Sequence, residues 1–241
     1  MNSTNQENIK PKYKVWTNHY DLSEINHSNW KDLIKQEFKI NTKTITFLAM
    51  MLTLNIIFEV ISRFVLGLFP VGGFLTFNIN FWIYIITFMG AGVFYTILMI
   101  EVGSWFRMAL GNDAVSCLAI NLSDLTMFLF FFVIIFLINF TRVKLMKIET
   151  NKQKQVGYLI SLIIAYVLAT LITSGMDVVY NKYFLIDLYY SSGGKPTDLK
   201  PILITVLWFN IVQYLISLVI FIPTYKVDYL LVNKYFGQSK L

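Results

Sequence analysis

Apolar residues come in blocks along this chain. Each block is about the 20 residues that an α-helix needs to cross roughly 30 Å of hydrocarbon. The pattern predicts an all-α, polytopic bundle of six membrane-spanning helices, at about 44–66, 74–90, 91–110, 122–141, 156–176 and 201–222. Phe74 to Leu110 is one continuous apolar stretch, too long for a single crossing. Within it "MGAG" (Met89–Gly92) places two glycines where a tight turn between the second and third helices belongs. If the glycines only kinked the helix, the count would be five.

Charge separates these alternatives. Basic residues concentrate in residues 1–43, in 142–154 and in 223–241, while the opposite loops hold only Lys182, Lys195 and Lys200. Six spans put all three basic segments on one face, and five spans split them. The positive-inside rule therefore predicts both termini in the cytoplasm of a multi-pass cell-membrane protein. The chain divides into a cytoplasmic N-terminal segment (1–43), a membrane domain (44–222) and a cytoplasmic tail (223–241). In the first segment "NWKDLIKQEFKI" sets Trp30, Leu33, Ile34, Glu37 and Phe38 at helical spacing. It reads as an amphipathic helix that lies on lipid or a partner, or packs beneath the bundle.

Composition narrows the chemistry. Of the 241 residues, 56% are hydrophobic and 14% charged, against about a quarter charged in soluble domains. The net charge of +6 is carried by the inner-face lysines, which suit anionic headgroups. No aromatic-basic motif points to nucleic acid. The one cysteine, Cys117, has no partner for a disulfide and reads as a small apolar residue. The two histidines, His19 and His27, both lie in the polar N-terminal segment, leaving no histidine metal site or triad in the membrane. No metal, cofactor or catalytic motif is expected. "SGGKPT" (Ser192–Thr197) lacks the first glycine and the hydroxyl residue of a phosphate loop, so the chain shows no means of using ATP.

Against this apolar background the membrane charges stand out. Glu59 and Arg63 lie four residues apart in "NIIFEVISRFVLGL"; Glu101 and Arg107 lie on the third predicted span. Asn121, Ser123 and Asp124 open the fourth, and Asp177 closes the fifth. Most of these charges fall toward the extracytoplasmic side. An ionisable side chain in lipid costs a few kcal/mol unless it is paired or faces a cavity. Glu59 and Arg63 are thus either an i, i+4 bridge or part of an outward-opening polar cavity, and clustering in one leaflet favours the cavity. "GLFPVGGFLTF" (Gly67–Phe77) is glycine-rich, aromatic and uncharged, fit to be a lid or a re-entrant loop. Trp82 and Trp105 read as interfacial anchors. On the fifth span Gly157, Ser161, Ala165 and Ala169 form a small-residue face for close helix packing, and Ala49 and Thr53 make one such pair on the first.

This layout resembles the substrate-binding S component of energy-coupling factor (ECF-type) vitamin transporters over roughly residues 40 to 225, in a Lys-, Asn-, Ile- and Phe-rich style similar to mollicute proteins. The resemblance implies a non-enzymatic, high-affinity binding subunit for uptake of a vitamin or cofactor precursor, riboflavin first. It would work with a transmembrane coupling protein and two ATPase subunits. It also implies that the family's Ala-xxx-Ala docking pair corresponds to Ala49 and Thr53, and that Arg63, Asp124 and Asp177 contact the ligand. Glu59 would orient Arg63; Phe69 and Phe74 of the lid, Arg107, Asn121 and Tyr183 would complete the site. A non-transporting scaffold and a lipid-acting membrane enzyme are the competing readings.

Overall fold

The computed structural model describes residues 42–68, 70–71, 75–145, 151–190 and 198–235. The expected amphipathic helix at Trp30–Phe38 and the lid residues Phe69 and Phe74 lie outside the described residues. Among the described residues the chain is helical, with a single isolated bridge between Val71 and Leu75. The helices are α1 (Thr42–Phe64), α2 (Phe81–Ala91), α3 (Val93–Ala109), α4 (Ala114–Leu145) and α5 (Asn151–Tyr180). A π-helical stretch, Asn181–Leu185, carries α5 into the short α6 (Ile186–Tyr189), and α7 (Lys200–Tyr235) follows. Four segments are long and apolar enough to cross a membrane: Thr42–Leu68, Ala114–Ile138, Val156–Tyr189 and Lys200–Asp228.

The side chains are sorted as lipid requires. Ile57, Leu129, Val133, Ile160, Ile164, Leu168, Ile204 and Val219 face outward, whereas Asn55, Glu59, Arg107, Asp124, Thr173 and Asp177 are buried. On α1 the buried stripe is Met51, Asn55, Glu59 and Ser62, spaced along one face of a 3.6-residue helix. Polar groups line the interior and apolar ones the exterior, which is the arrangement of a membrane protein.

At the centre lies α2, all of whose residues are buried, packed against α1, α3 and α7. At 11 residues it is only about 16 Å long, short of the crossing expected at 74–90, because residues 75–80 are not helical. The chain reverses after it at Gly92, whose φ of 93° lies where only glycine sits without strain. A straight helix would put positions 84 and 103 roughly 28 Å apart. Instead the Tyr84 hydroxyl lies against Gly103, where an added Cβ would sit 2.7 Å from it and would also strike the Asn55 amide. The glycine-rich stretch is therefore a turn. Below it an aromatic core forms: Phe88 meets Phe128, Phe131 and Phe132 edge-on, and Phe81 meets Tyr84, Tyr166 and Tyr214.

Several boundaries differ from the pattern read in the sequence. The fourth helix begins at Ala114, because Asp113 caps it: its carboxylate accepts the Ser116 N–H at 2.9 Å and the Ser116 hydroxyl at 2.5 Å. The polar Asn121–Asp124 stretch is thus two turns inside the helix, turned inward. The fifth helix runs on to Tyr189, and α7 passes through Pro223 with Phe221 and Tyr225 buried on either side. Trp82 is buried edge-on against Phe58 at 5.4 Å, so it is a core residue and not an interfacial anchor. Trp105 is half-exposed and donates its indole N–H to Glu101 at 3.3 Å. The small-residue face of α5 is buried at Ser161, Ala165 and Ala169, as helix packing requires, while Ala49 and Thr53 lie exposed on α1.

Candidate functional site

A cavity of about 360 Å³ opens at the end of the bundle where α1, α3 and α5 finish and α4 and α7 begin. Every wall comes from a different element. Arg63 stands at the end of α1, Leu75 and Thr76 come from the loop before α2, and Gly111–Asp113 from the α3–α4 turn. From α4 come Ser116, Ser123 and Asp124; from α5 and its continuation come Asp177, Asn181, Leu185 and Tyr189. Phe209, Asn210 and Gln213 of α7 close it. The volume is at the small end of the range for small-molecule sites, roughly 300–1,000 Å³.

The loop before α2 is fastened in place by amides. The Asn78 N–H donates to Gln213 Oε1 at 3.0 Å, and the Asn80 N–H to Asn78 Oδ1 at 3.1 Å. The Asn80 side chain donates to both the carbonyl and the side-chain oxygen of Asn55, at 3.2 and 3.0 Å. Phe77 packs on Phe209 with ring centres 4.9 Å apart. This part of the expected lid or re-entrant segment is therefore seated in the bundle, and it supplies a wall of the cavity.

The floor holds two buried carboxyl groups joined by hydroxyls. Ser123 Oγ lies 2.8 Å from Asp177 Oδ2 and 2.8 Å from the Tyr214 hydroxyl, which in turn lies 3.1 Å from Asp124 Oδ1. Asp124 and Asp177 are 2% and 3% exposed. The second oxygen of Asp124, Oδ2, has no hydrogen-bond partner among the described residues. At the rim, Arg63 is exposed and its Nη2 donates to the Gly111 carbonyl at 3.3 Å. Asp113 is also at the rim. Slight burial works against its charge, but the Ser116 hydrogen bonds outweigh that and hold the carboxyl below its usual range.

Beside the floor is a second polar cluster that lines no part of the cavity. Glu59 pairs with Arg107 across α1 and α3, both side chains almost wholly buried. Asn80 reaches Glu59 and is itself bonded to Asn55, which meets Tyr84 at Gly103; Ser62 on α1 and Ser104 on α3 are also buried. The expected Glu59–Arg63 pairing is thus replaced: Glu59 is on the buried face of α1 and meets Arg107, while Arg63, four residues on, faces outward. A buried carboxylate needs a buried cation, and Arg107 provides it.

Of the residues named from the sequence, the cavity brings together Arg63, Asp124 and Asp177. Glu59 and Arg107 form their own pair, and Asn121 is buried behind the wall. Tyr183 is 69% exposed beneath the Lys182 ammonium and lies off the cavity; Tyr189, one turn and a half further on, lines it instead. Sequence reasoning missed Tyr214, Gln213 and Asn210. Their signal was "FNIVQY" (Phe209–Tyr214), three polar-tipped side chains at i, i+3 and i+4 within an apolar span. Compared with known proteins, the chain matches no protein-family model, no curated protein and no solved structure.

Proposed function

We propose that this protein is the membrane-embedded binding subunit for uptake of a vitamin or cofactor precursor, working with a separate ATP-driven energy-coupling module of the ECF type. The α2–α3 hairpin starts and finishes at the face where the first long helix ends, so with four long helices both termini fall on one side, and the lysine distribution favours the cytoplasmic side of the cell membrane. The cavity then opens to the outside. The single observation that carries this reading is the cavity itself: a polar, small-molecule-sized space within a bundle whose outer surface is apolar. Its wall includes the loop after the first helix, which suits a site loaded from one face. Ala49 and Thr53, exposed on α1, offer the coupling protein a close-packing strip.

The test is mass spectrometry of small molecules extracted from protein purified out of cells grown on vitamin-rich medium. A stoichiometric vitamin is expected, absent when Arg63, Asp124 and Asp177 are all replaced by alanine. Ligand retained by that triple variant would reject the site. A wild-type protein that is empty and binds no vitamin from a panel would reject the function.

A further inference from the structure

The floor of the cavity has a proton count that does not close. Three short contacts link Asp177 Oδ2, Ser123 Oγ, Tyr214 Oη and Asp124 Oδ1 in series, at 2.8, 2.8 and 3.1 Å. Each needs a hydrogen between its oxygens. Ser123 and Tyr214 supply one each, so the third must come from a carboxyl group. With both carboxyls ionised, one contact would set two lone pairs against each other in a buried site. With both protonated, one carboxyl hydrogen would be left over. The geometry therefore matches one shared proton and one negative charge on the floor.

The surroundings decide which end carries the charge. The charges acting on Asp124 are Arg107 and then Glu59, whereas Asp177 has, among the described residues, Ser123 and Asp124 as its neighbours and no cation. Tyr84 and Tyr166 stand behind Asp124 and Tyr214, and Arg63, Asp113 and Tyr189 are on the cavity walls. The anion belongs beside the arginine. In that state Asp177 donates to Ser123, Ser123 to Tyr214, and Tyr214 to Asp124 Oδ1. Arg107 is already engaged by Glu59. What remains is Asp124 Oδ2, buried and without a hydrogen-bond partner among the described residues, on a side chain that belongs to the cavity lining.

We propose that the cavity binds the singly positive group of its ligand, an ammonium or a charged heteroaromatic ring, against the Asp124 carboxylate, with Asp177 kept protonated so that the floor presents one negative charge. This rests on the binding-subunit reading and names the ligand class for that site. It ranks cationic precursors above neutral riboflavin. Phe209 and Tyr189, on the walls, suit the flat face of such a ring.

The test uses full-length protein in lipid nanodiscs and reads infrared spectra and ligand binding together. Wild-type protein should show a protonated-carboxyl C=O band at neutral pH that is absent from Asp177→Asn. Thiamine, which carries a fixed positive charge, serves as the cationic probe and riboflavin as the neutral one. Thiamine should be retained over riboflavin, Asp124→Asn should weaken thiamine binding by roughly a hundredfold, and Asp177→Asn, which keeps a donor toward Ser123, should weaken it much less. The amide bands of the same spectra report whether each variant is folded. No carboxyl band in the wild type, a band that survives in Asp177→Asn, or equal damage from the two substitutions overturns the proton and charge assignment. Retention of riboflavin over thiamine overturns the ligand class and leaves the binding-subunit reading standing. Retention of neither, with the band in place, overturns the ligand class and counts against the binding subunit, while the shared proton stands.

Discussion

Two buried polar clusters lie side by side in this bundle, and they are solved in opposite ways. Between α1 and α3, Glu59 and Arg107 are matched in charge and packed among amides and hydroxyls. Around the cavity floor, Asp124 and Asp177 share hydroxyl partners but bring no cation of their own. The first cluster is balanced in charge without a ligand, although several of its buried polar atoms, Tyr84 Oη and Ser104 Oγ among them, have no hydrogen-bond partner among the described residues, and it fixes the approach of two helices. The second is left one positive charge short and faces open space. Burial alone does not separate structure from function here. The balance of charge does.

The sharpest way to break this contrast is to remove one half of the matched pair. Arg107→Ala should destabilise the protein by about 3–5 kcal/mol, since it leaves a buried carboxylate alone, and equilibrium unfolding in detergent would read it. Replacing both partners, Glu59→Leu with Arg107→Met, should recover most of that loss. If Arg107→Ala unfolds like wild type, the pair does not hold the helices. On the other side of the comparison, Asp124→Asn should leave thermal stability at or above the wild-type value while ligand retention falls. A parallel loss of both would make the floor structural too.

Smaller effects sharpen the boundary. Gly103→Ala sets a methyl group against Asn55 and Tyr84, at the edge of the matched cluster. It should cost about 1–3 kcal/mol, again read by unfolding, with the cavity unaffected. Smallest is Asp113→Ala at the start of α4, which should cost about 1 kcal/mol through the lost cap. Because folding lowers the Asp113 pKa, its stabilising contribution is full above the ordinary aspartate value of about 3.9. That contribution disappears as pH falls through the depressed value. The wild-type unfolding midpoint should therefore drop more on acidification than that of the alanine variant.

The four long helices were legible because apolar blocks of membrane length admit few other structures. The turn at Gly92 was legible from glycines inside an overlong apolar stretch. Arg63, Asp124 and Asp177 were traceable because charge in lipid is costly and needs a reason. The partner of Glu59 was not. Local spacing offers Arg63 at i+4, but the cation that arrives is Arg107 on another helix, and only the crossing of α1 and α3 shows it. The start of α4 was misplaced for a related reason. Asn121, Ser123 and Asp124 read as a polar helix end when they are an inward-facing patch, and the cap was the less conspicuous Asp113. Tyr183 was the tyrosine expected in the site, but Tyr189, beyond the π-helical stretch between α5 and α6, is the one that lines the cavity.

That stretch also sets an angular phase. In an α-helix every fourth residue advances about 40° beyond a full turn, so a row of such positions drifts off any one face. Asp177, Asn181, Leu185 and Tyr189 are such a row, and all four line the cavity. The wider π turn over Asn181–Leu185 advances fewer degrees per residue and cancels the drift. Were the same residues wound as unbroken α-helix, the 40° drift would accumulate over three steps to about 120°, turning Tyr189 off the face while Asp177 stayed in place. The cavity would keep its charge and lose its aromatic wall.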